Sequence, residues 1–122
     1  MASVKKSAAL PPPKVKRRMR IRVPKTAKRG EIVVVKAMIR HPMITGQRIE
    51  EFRTGQKRHI LNRFQVLYAG EAVYDAQLGT GISADPYFSL HLRADVTGTV
   101  EFRWYDDDGS VYRTATTMTV TG

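Results

Sequence analysis

Three histidines and a run of three aspartates are the residues of this chain best suited to chemistry. His41, His59 and His91 lie far apart without HxH or HxxxH spacing, although metal ligands can converge from separate strands. This leaves a zinc or copper site open, but alternation along its strand points His91 outward, and we expect no metal. Asp106–Asp108 precede Gly109, and an Asp-Gly pair is a strong hairpin signal. We therefore predict a solvated turn at the aspartates.

Other catalytic constellations lack their essential residues. General acid–base chemistry needs a carboxylate in a dry pocket, which a solvated hairpin does not provide. A calcium loop starting at Asp106 would need a glutamate where Thr117 stands. No serine lies in a GxSxG or SxxK pattern. The 122 residues include no cysteine, so thiolate metal sites and cysteine nucleophiles are excluded. We predict no catalytic residue and no cofactor.

The basic charge is concentrated at one end. Residues 1–30 carry eleven Lys and Arg and no acid, whereas residues 31–122 carry ten against eleven acids. We predict a flexible, basic, proline-containing arm over residues 1–18 and one domain over residues 19–122. Nucleic-acid domains usually carry their cations on a folded face, so we expect no nucleic-acid partner. A basic-armed nucleic-acid-binding module is the alternative.

Hydrophobic residues after the arm recur with a period of two, which is typical of strands. An immunoglobulin-like antiparallel β-sandwich of about seven strands is the fold that this pattern favours. Trp104 should pack on apolar partners. The second strand should bury Val33, Val35, Ala37 and Ile39, with its other face partly covered. Lys25–Gly30 is predicted to be a turn and Gly46–His59 a long loop. The predicted strands are Met19–Val23, Glu31–Arg40, Ile60–Ala69, Ala72–Leu78, Tyr87–Ala94, Thr99–Tyr105 and Val111–Val120.

The segment after the second strand is unusual for a simple connection. Pro42 fixes its own φ and extends its predecessor, and Gly46 permits a turn. Met43 and Ile44 either cap one end of the core or dock another protein, and the residues leave both interpretations open. Apolar groups near loops are typical interface anchors. The predicted partner-binding residues are His41, Pro42, Met43, Ile44, Thr45, Gly46, Gln47, Arg48, Phe52, Pro86 and Tyr87.

Four sequence blocks carry a family resemblance. Residues 20–39 read RIRVPKTAKRGEIVVVKAMI, residues 41–48 HPMITGQR, residues 84–88 ADPYF and residues 104–112 WYDDDGSVY. Over residues 19–120 the chain resembles SoxZ, the non-catalytic half of the SoxYZ carrier complex of bacterial thiosulfate oxidation. The resemblance implies a SoxY-like partner whose cysteine arm carries the sulfur. Ile44 and Asp85 depart from the family pattern.

The expected function follows from this resemblance. It implies a non-enzymatic subunit that binds and braces a SoxY-like partner, with transient contacts to other Sox enzymes. Arg48, Arg53, Lys57 and Arg58 are hypothesised to favour the anionic sulfur adduct. No apolar stretch has the length of a bilayer span, so we expect no membrane contact. The apolar run Ala8–Leu10 is too short for a signal peptide, and the family implies a periplasmic location reached by co-export with the partner.

Overall fold

Two β-sheets form the body of the protein. The computed structural model describes residues 13–47, 53–55 and 57–122. One sheet has three strands in the order β1-β3-β6, and the other has five in the order β2-β8-β7-β4-β5. The predicted β-sandwich is confirmed, with eight strands over the described residues. They are β1 Met19–Arg22, β2 Thr26–Lys28, β3 Ile32–Ile39, β4 Leu61–Tyr68, β5 Glu71–Gln77, β6 Tyr87–Arg93, β7 Gly98–Asp106 and β8 Val111–Thr121.

Little helical structure accompanies the sheets. Arg53 and Thr54 are helical, within the segment that was predicted to be a long loop. Over the described ranges, no helix has both the length and the apolar character that a membrane span requires.

The additional strand is β2, where the sequence predicted only a turn. Thr26, Ala27 and Lys28 pair in parallel with the end of β8, whereas every other strand pair is antiparallel. Hydrogen bonds flank it on both sides, from Thr119 N–H to Lys25 O and from Arg29 N–H to Thr121 O, each 2.8 Å long. A three-residue strand has too few residues to show a period, so its pairing depends on β8.

Strand β3 lies in the middle of the three-stranded sheet, between β1 and β6. Its inner face buries Val33, Val35, Ala37 and Ile39, as predicted. The prediction that its other face is partly covered is wrong for Ile32 and Val34, which are 56% and 41% exposed, while Met38 is half-buried. Alternation identifies the two faces of a strand but does not reveal whether anything packs against the second face.

Aromatic rings fill the space between the sheets. Trp104 is fully buried and lies with its ring centroid 5.3 Å from that of Phe64. Phe64 stacks on Phe88 of the opposite sheet at 4.1 Å. The expected apolar packing of Trp104 is confirmed. These rings join the two sheets without a disulfide, since the chain has no cysteine.

The described end of the predicted arm contacts the domain. The backbone N–H of Lys14 donates to Ser110 Oγ at 3.0 Å, and Arg17 Nε donates to the Tyr112 hydroxyl at 3.2 Å. Residues 14–17 therefore lie beside the start of β8, whereas residues 1–12 fall outside the described ranges. The predicted flexibility of the arm stays a prediction.

Phe64→Ala should lower the free energy of unfolding by about 3–5 kcal/mol, because it removes a ring that contacts both sheets and leaves a cavity. Urea unfolding followed by tryptophan fluorescence measures this change. Val73→Ala, at an exposed position of β5, is the control and should change stability by no more than about 0.5 kcal/mol. Equal losses in the two variants would show that Phe64 does not hold the sheets together.

Candidate functional site

The segment between β3 and residue 47 divides the predicted partner-binding residues into two groups. The side chains of His41 and Met43 are buried, while Pro42 and Gln47 are exposed. Ile44, Thr45 and Gly46 are half-buried. The core-capping interpretation therefore holds for Met43. Arg48 and Phe52 lie outside the described residues.

Met43 adopts a backbone conformation that L-residues seldom use. Its φ is 50°, in the left-handed region, and such a conformation persists only when surrounding contacts hold it. Its N–H donates to His41 Nδ1 at 2.9 Å, and its Sδ accepts from the N–H of Leu61 at 3.3 Å. These contacts turn the Met43 side chain into the core and leave Pro42 outside.

Asp85 ties the segment to the strand beside it. Its carboxylate accepts from the N–H of His41 at 2.9 Å, and its own N–H donates to His41 O at 2.8 Å. Pro86 is buried and Tyr87 is 59% exposed. Asp85 thus joins the backbone just before Pro86 and Tyr87 to the backbone of His41, so that two separate parts of the sequence lie side by side.

Three side chains meet at the end of this segment, the fully buried His41 and Asp106 and the half-buried His59, and we name this cluster the His–Asp clasp. His41 Nε2 lies 2.8 Å from Asp106 Oδ2, and His59 Nε2 lies 2.7 Å from Asp106 Oδ1. The two imidazole rings meet edge to face, with centroids 5.4 Å apart. The clasp joins three parts of the fold: the residues just after β3, the residues just before β4, and the end of β7.

The position of Asp106 corrects the expectation of a fully solvated aspartate turn. Its side chain is fully buried, and it also accepts from the N–H of Asp108 at 3.1 Å. Asp107 and Asp108 are half-buried, and Gly109, with φ 88°, completes the hairpin. The predicted position of the turn is correct, but the side chain of the first aspartate is buried in the protein and does not contact water.

The hydrogen bonds fix the protonation of His41. Because Nδ1 accepts from the N–H of Met43, it carries no proton, so Nε2 carries the proton and donates it to Asp106. Burial lowers the pKa of His41, and this outweighs the increase due to the hydrogen bond with Asp106. His41 is therefore neutral at pH 7.

The clasp has the residue types of a metal site, but the hydrogen bonds of His41 do not suit a bound metal. One donor atom from each residue lies within 4.8 Å of the others. The 2.8 Å contact between His41 Nε2 and Asp106 Oδ2 is a direct hydrogen bond, whereas His59 Nε2 approaches Asp106 Oδ1 to 2.7 Å without hydrogen-bond geometry. A metal on His41 Nε2 would require a proton on Nδ1, which would break the bond from Met43. His91, the third histidine, is exposed on β6 and does not join them.

Asp107 pairs with one of the loop cations that were hypothesised to favour a sulfur adduct. Arg58 donates to Asp107 through Nε and Nη2, each at 2.9 Å. Burial raises the pKa of Asp107, but hydrogen bonds from Arg58, Asn62 and the N–H of Ile60 together lower it to about 2. Arg58 is therefore committed to an intramolecular pair, whereas Arg53 and Lys57 are exposed and Arg48 is outside the described ranges.

Comparison with known families identifies the chain. A family model described as "Sulphur oxidation protein SoxZ" matches residues 20–117. The chain belongs to the SoxZ family. The resemblance drawn from the four sequence blocks is confirmed, and the match contains the whole clasp. A search of curated proteins found no match.

Solved structures share the fold at low sequence identity. The sulfur carrier protein SoxY from Chlorobium limicola f thiosulfatophilum is 18% identical, with a TM-score of 0.63 and coverage of 99% of this chain and 94% of that one. Superoxide reductase (neelaredoxin) from Ignicoccus hospitalis is 14% identical, with a TM-score of 0.65 and coverage of 84% and 80%. Fibronectin(III)-like modules of Clostridium thermocellum CbhA are 14% identical, with a TM-score of 0.54 and coverage of 88% of this chain and 47% of that one. These likenesses confirm the sandwich fold of this SoxZ-family chain.

Sequence reasoning missed the clasp of this SoxZ-family domain, although part of its signal was present. Val100, Phe102 and Trp104 alternate inward along β7, and the same alternation extended by one step turns Asp106 inward. No local pattern shows that His41 and His59 meet it, because that contact depends on the packing of three separate strands. Asp85 likewise gives no local signal of its partner His41.

Replacing His41 should change how stability depends on pH. The pKa of His41 is lower in the folded chain than in the unfolded chain, so the unfolded chain binds the proton more readily. The contribution of His41 to the free energy of unfolding is therefore fully present above about pH 6.5 and decreases as the pH falls below that value. His41→Gln should lower the free energy of unfolding at pH 7 by about 1–3 kcal/mol and flatten its slope between pH 7 and 5. His91→Gln, at an exposed histidine, should match the wild type. An unchanged slope in His41→Gln would contradict the neutral clasp.

Asp107 should contribute stability that acid removes. Its folded pKa of about 2 lies below the 3.8 of an unperturbed aspartate, so the contribution to stability is present above pH 4 and is lost as the pH falls towards 2. Asp107→Asn should lower the free energy of unfolding at pH 7 by about 2 kcal/mol and weaken its pH dependence in this window, as measured by urea titrations. Asp75→Asn, in an exposed pair with Arg63, should have a smaller effect; a larger one would refute the assignment.

Proposed function

We propose that this chain is a non-enzymatic subunit of a heterodimeric sulfur carrier complex. It binds and braces a SoxY-like partner whose cysteine carries covalent sulfur intermediates during thiosulfate oxidation. The SoxZ-family match over residues 20–117 carries this proposal. None of the 122 residues is a cysteine, so a thiol that holds the sulfur has to come from another chain.

The bracing role rests on a surface that is fixed before the partner arrives. The clasp and the Asp85 bonds hold His41 on both its backbone and its ring. Pro42 and Tyr87 are exposed on either side of these contacts. A prefixed surface loses little conformational entropy on binding, which favours affinity. In this proposal the buried His41 and Met43 hold the segment in position, while Pro42, Gln47 and Tyr87 contact the partner.

The hydrogen bonds of His41 and the burial of Asp106 support a non-enzymatic role for these two residues. His41 is held at both ring nitrogens, by the N–H of Met43 and by Asp106. Taking a proton from a substrate would break one of these buried bonds, because a general base must have an accessible nitrogen within hydrogen-bond reach of the proton. The Asp106 carboxylate is fully buried as well. These groups are suited to holding the fold.

We also propose a periplasmic location, reached by co-export with the signal-bearing partner. Other Sox enzymes would then meet the partner's sulfur-carrying cysteine through transient contacts with the assembled complex. This part of the proposal follows from the family alone.

Co-expression with the SoxY-like protein encoded in the same genome should yield a stable complex with one partner per chain, recovered from the periplasmic fraction. Alkylation should detect the thiol on the partner only. Tyr87→Ala should weaken the complex by about tenfold or more, since exposed tyrosines are frequent interface anchors. Tyr74→Ala, at an exposed tyrosine of β5, is the matched control and should bind as the wild type does.

Two results would contradict the proposal. One is a chain that stays monomeric beside the SoxY-like protein at micromolar concentrations. The other is turnover of thiosulfate by the isolated chain. Calorimetry of the mixed proteins and an assay of thiosulfate consumption distinguish these outcomes.

A further inference from the structure

The outer face of the three-stranded sheet is basic. Arg20 and Arg22 of β1, Lys36 of β3 and Arg93 of β6 are all exposed on it. The strand register places Arg22 directly opposite Lys36. No aspartate or glutamate stands at the outward positions of these strands, which are Arg20, Arg22, Ile32, Val34, Lys36, Met38, Tyr87, Ser89, His91 and Arg93.

The same face exposes large apolar side chains. Tyr87 lies opposite Met38, and Ile32 and Val34 continue along β3. Ile32 and Tyr87 each expose more than half of their surface. A groove of about 280 Å³ runs past Arg22, Met38 and Tyr87. Apolar groups that are surrounded by charges are typical of a protein interface, with an apolar centre and a polar rim.

The outer face of the five-stranded sheet differs, because its three arginines on β4, β7 and β8 already have carboxylate partners. Arg103 and Arg113 both contact Glu101, at 2.7 and 3.2 Å. Arg63 donates to Asp75 at 2.8 Å. Among the residues that the structure describes, Arg20, Arg22, Lys36 and Arg93 form no ion pair. Within the described ranges, the outer face of the five-stranded sheet therefore pairs its three arginines within the chain and leaves Lys28 of β2 without an ion pair, whereas none of the four cations on the other face has one.

We infer that the outer face of β1, β3 and β6 is a docking surface for a carboxylate-bearing protein surface, and we assign its occupant as the SoxY-like partner. This assignment rests on the proposed function. The four cations select an acidic partner by charge complementarity. Ile32, Val34 and Met38 favour a protein over a nucleic acid, since single-stranded nucleic acid is bound by several stacking aromatics and the outward positions of these strands hold one tyrosine, Tyr87, with no phenylalanine or tryptophan.

The docking surface is continuous with the segment described above. The N–H of Ile39 donates to Pro86 O at 3.4 Å, so the end of β3 meets the start of β6 beside Tyr87. Tyr87 therefore lies on the basic face and only two residues after Asp85, which binds the backbone of His41. One partner can cover the two regions together, with the clasp holding the edge where they meet.

Charge reversal at the centre of the face tests the inference. Lys36→Glu should weaken binding of the purified SoxY-like protein by at least about tenfold, because it places like charges together. Arg113→Glu is the matched control: it makes the same change in net charge on the other sheet, where the register sets residue 113 opposite Arg103. This control should bind within about twofold of the wild type. Thermal unfolding verifies that both variants are folded.

A second pair of measurements separates charge from apolar contact. Val34→Ser should weaken binding by about tenfold without altering its dependence on salt. The Arg22→Gln and Lys36→Gln double variant should show a shallower decline of affinity with ionic strength than the wild type, because it removes two screened attractions.

The outcomes distinguish the two proposals. If the wild-type chain does not bind the SoxY-like protein, the proposed function fails. If it binds and Lys36→Glu binds equally well, only the docking surface is overturned. If Lys36→Glu abolishes binding of a labelled DNA duplex at 150 mM salt and leaves protein binding intact, the face belongs to nucleic acid and the assignment is also overturned.

Discussion

The buried hydrogen bond between His41 Nε2 and Asp106 Oδ2 is the contact on which the candidate site depends. A carboxylate without access to water is stable only when its oxygens are satisfied, and Asp106 meets this requirement with His41 at Oδ2 and the N–H of Asp108 at Oδ1. In return, the carboxylate holds the ring of His41, whose other nitrogen holds the backbone of Met43. One buried carboxylate thus holds the backbone conformation of the connection that follows β3.

This constraint gives the domain a division of roles. The inner faces of the two sheets hold the aromatic core, which includes Phe64 and Trp104. The outer face of the five-stranded sheet pairs its own charges around Glu101. The outer face of the three-stranded sheet keeps its cations and apolar groups exposed. In the proposed function, this face is the surface with which the SoxZ-family chain, which has no thiol of its own, holds its partner.

Much of the fold could be predicted because it follows from local alternation. Val33 to Ile39 in β3 and Val100 to Trp104 in β7 show their buried faces directly in the sequence. Strand β2 could not be predicted, because three residues contain no period and their hydrogen bonds come from β8. The exposure of Ile32 could not be predicted either, since an apolar outward position looks the same whether or not something covers it.

The sequence singled out the segment around Pro42 and the residues Pro86 and Tyr87, and their role in binding a partner stays a prediction. What the sequence could not show is the set of buried contacts behind them. The buried contacts that fix them link His41 to Asp85 and to Asp106, at separations of 44 and 65 residues. Contacts at such distances leave no local pattern, and only the folded arrangement of β3, β6 and β7 shows them.

Nuclear magnetic resonance of the ¹⁵N-labelled chain, titrated with the SoxY-like partner, tests the central claim most directly. The account predicts that His41 keeps its proton on Nε2 throughout, while the backbone signals of Lys36, Gln47 and Ser89 shift as the partner binds. A proton on Nδ1 of His41 in the free chain, or shifts confined to Arg103 and Arg113 on the other sheet, would contradict it.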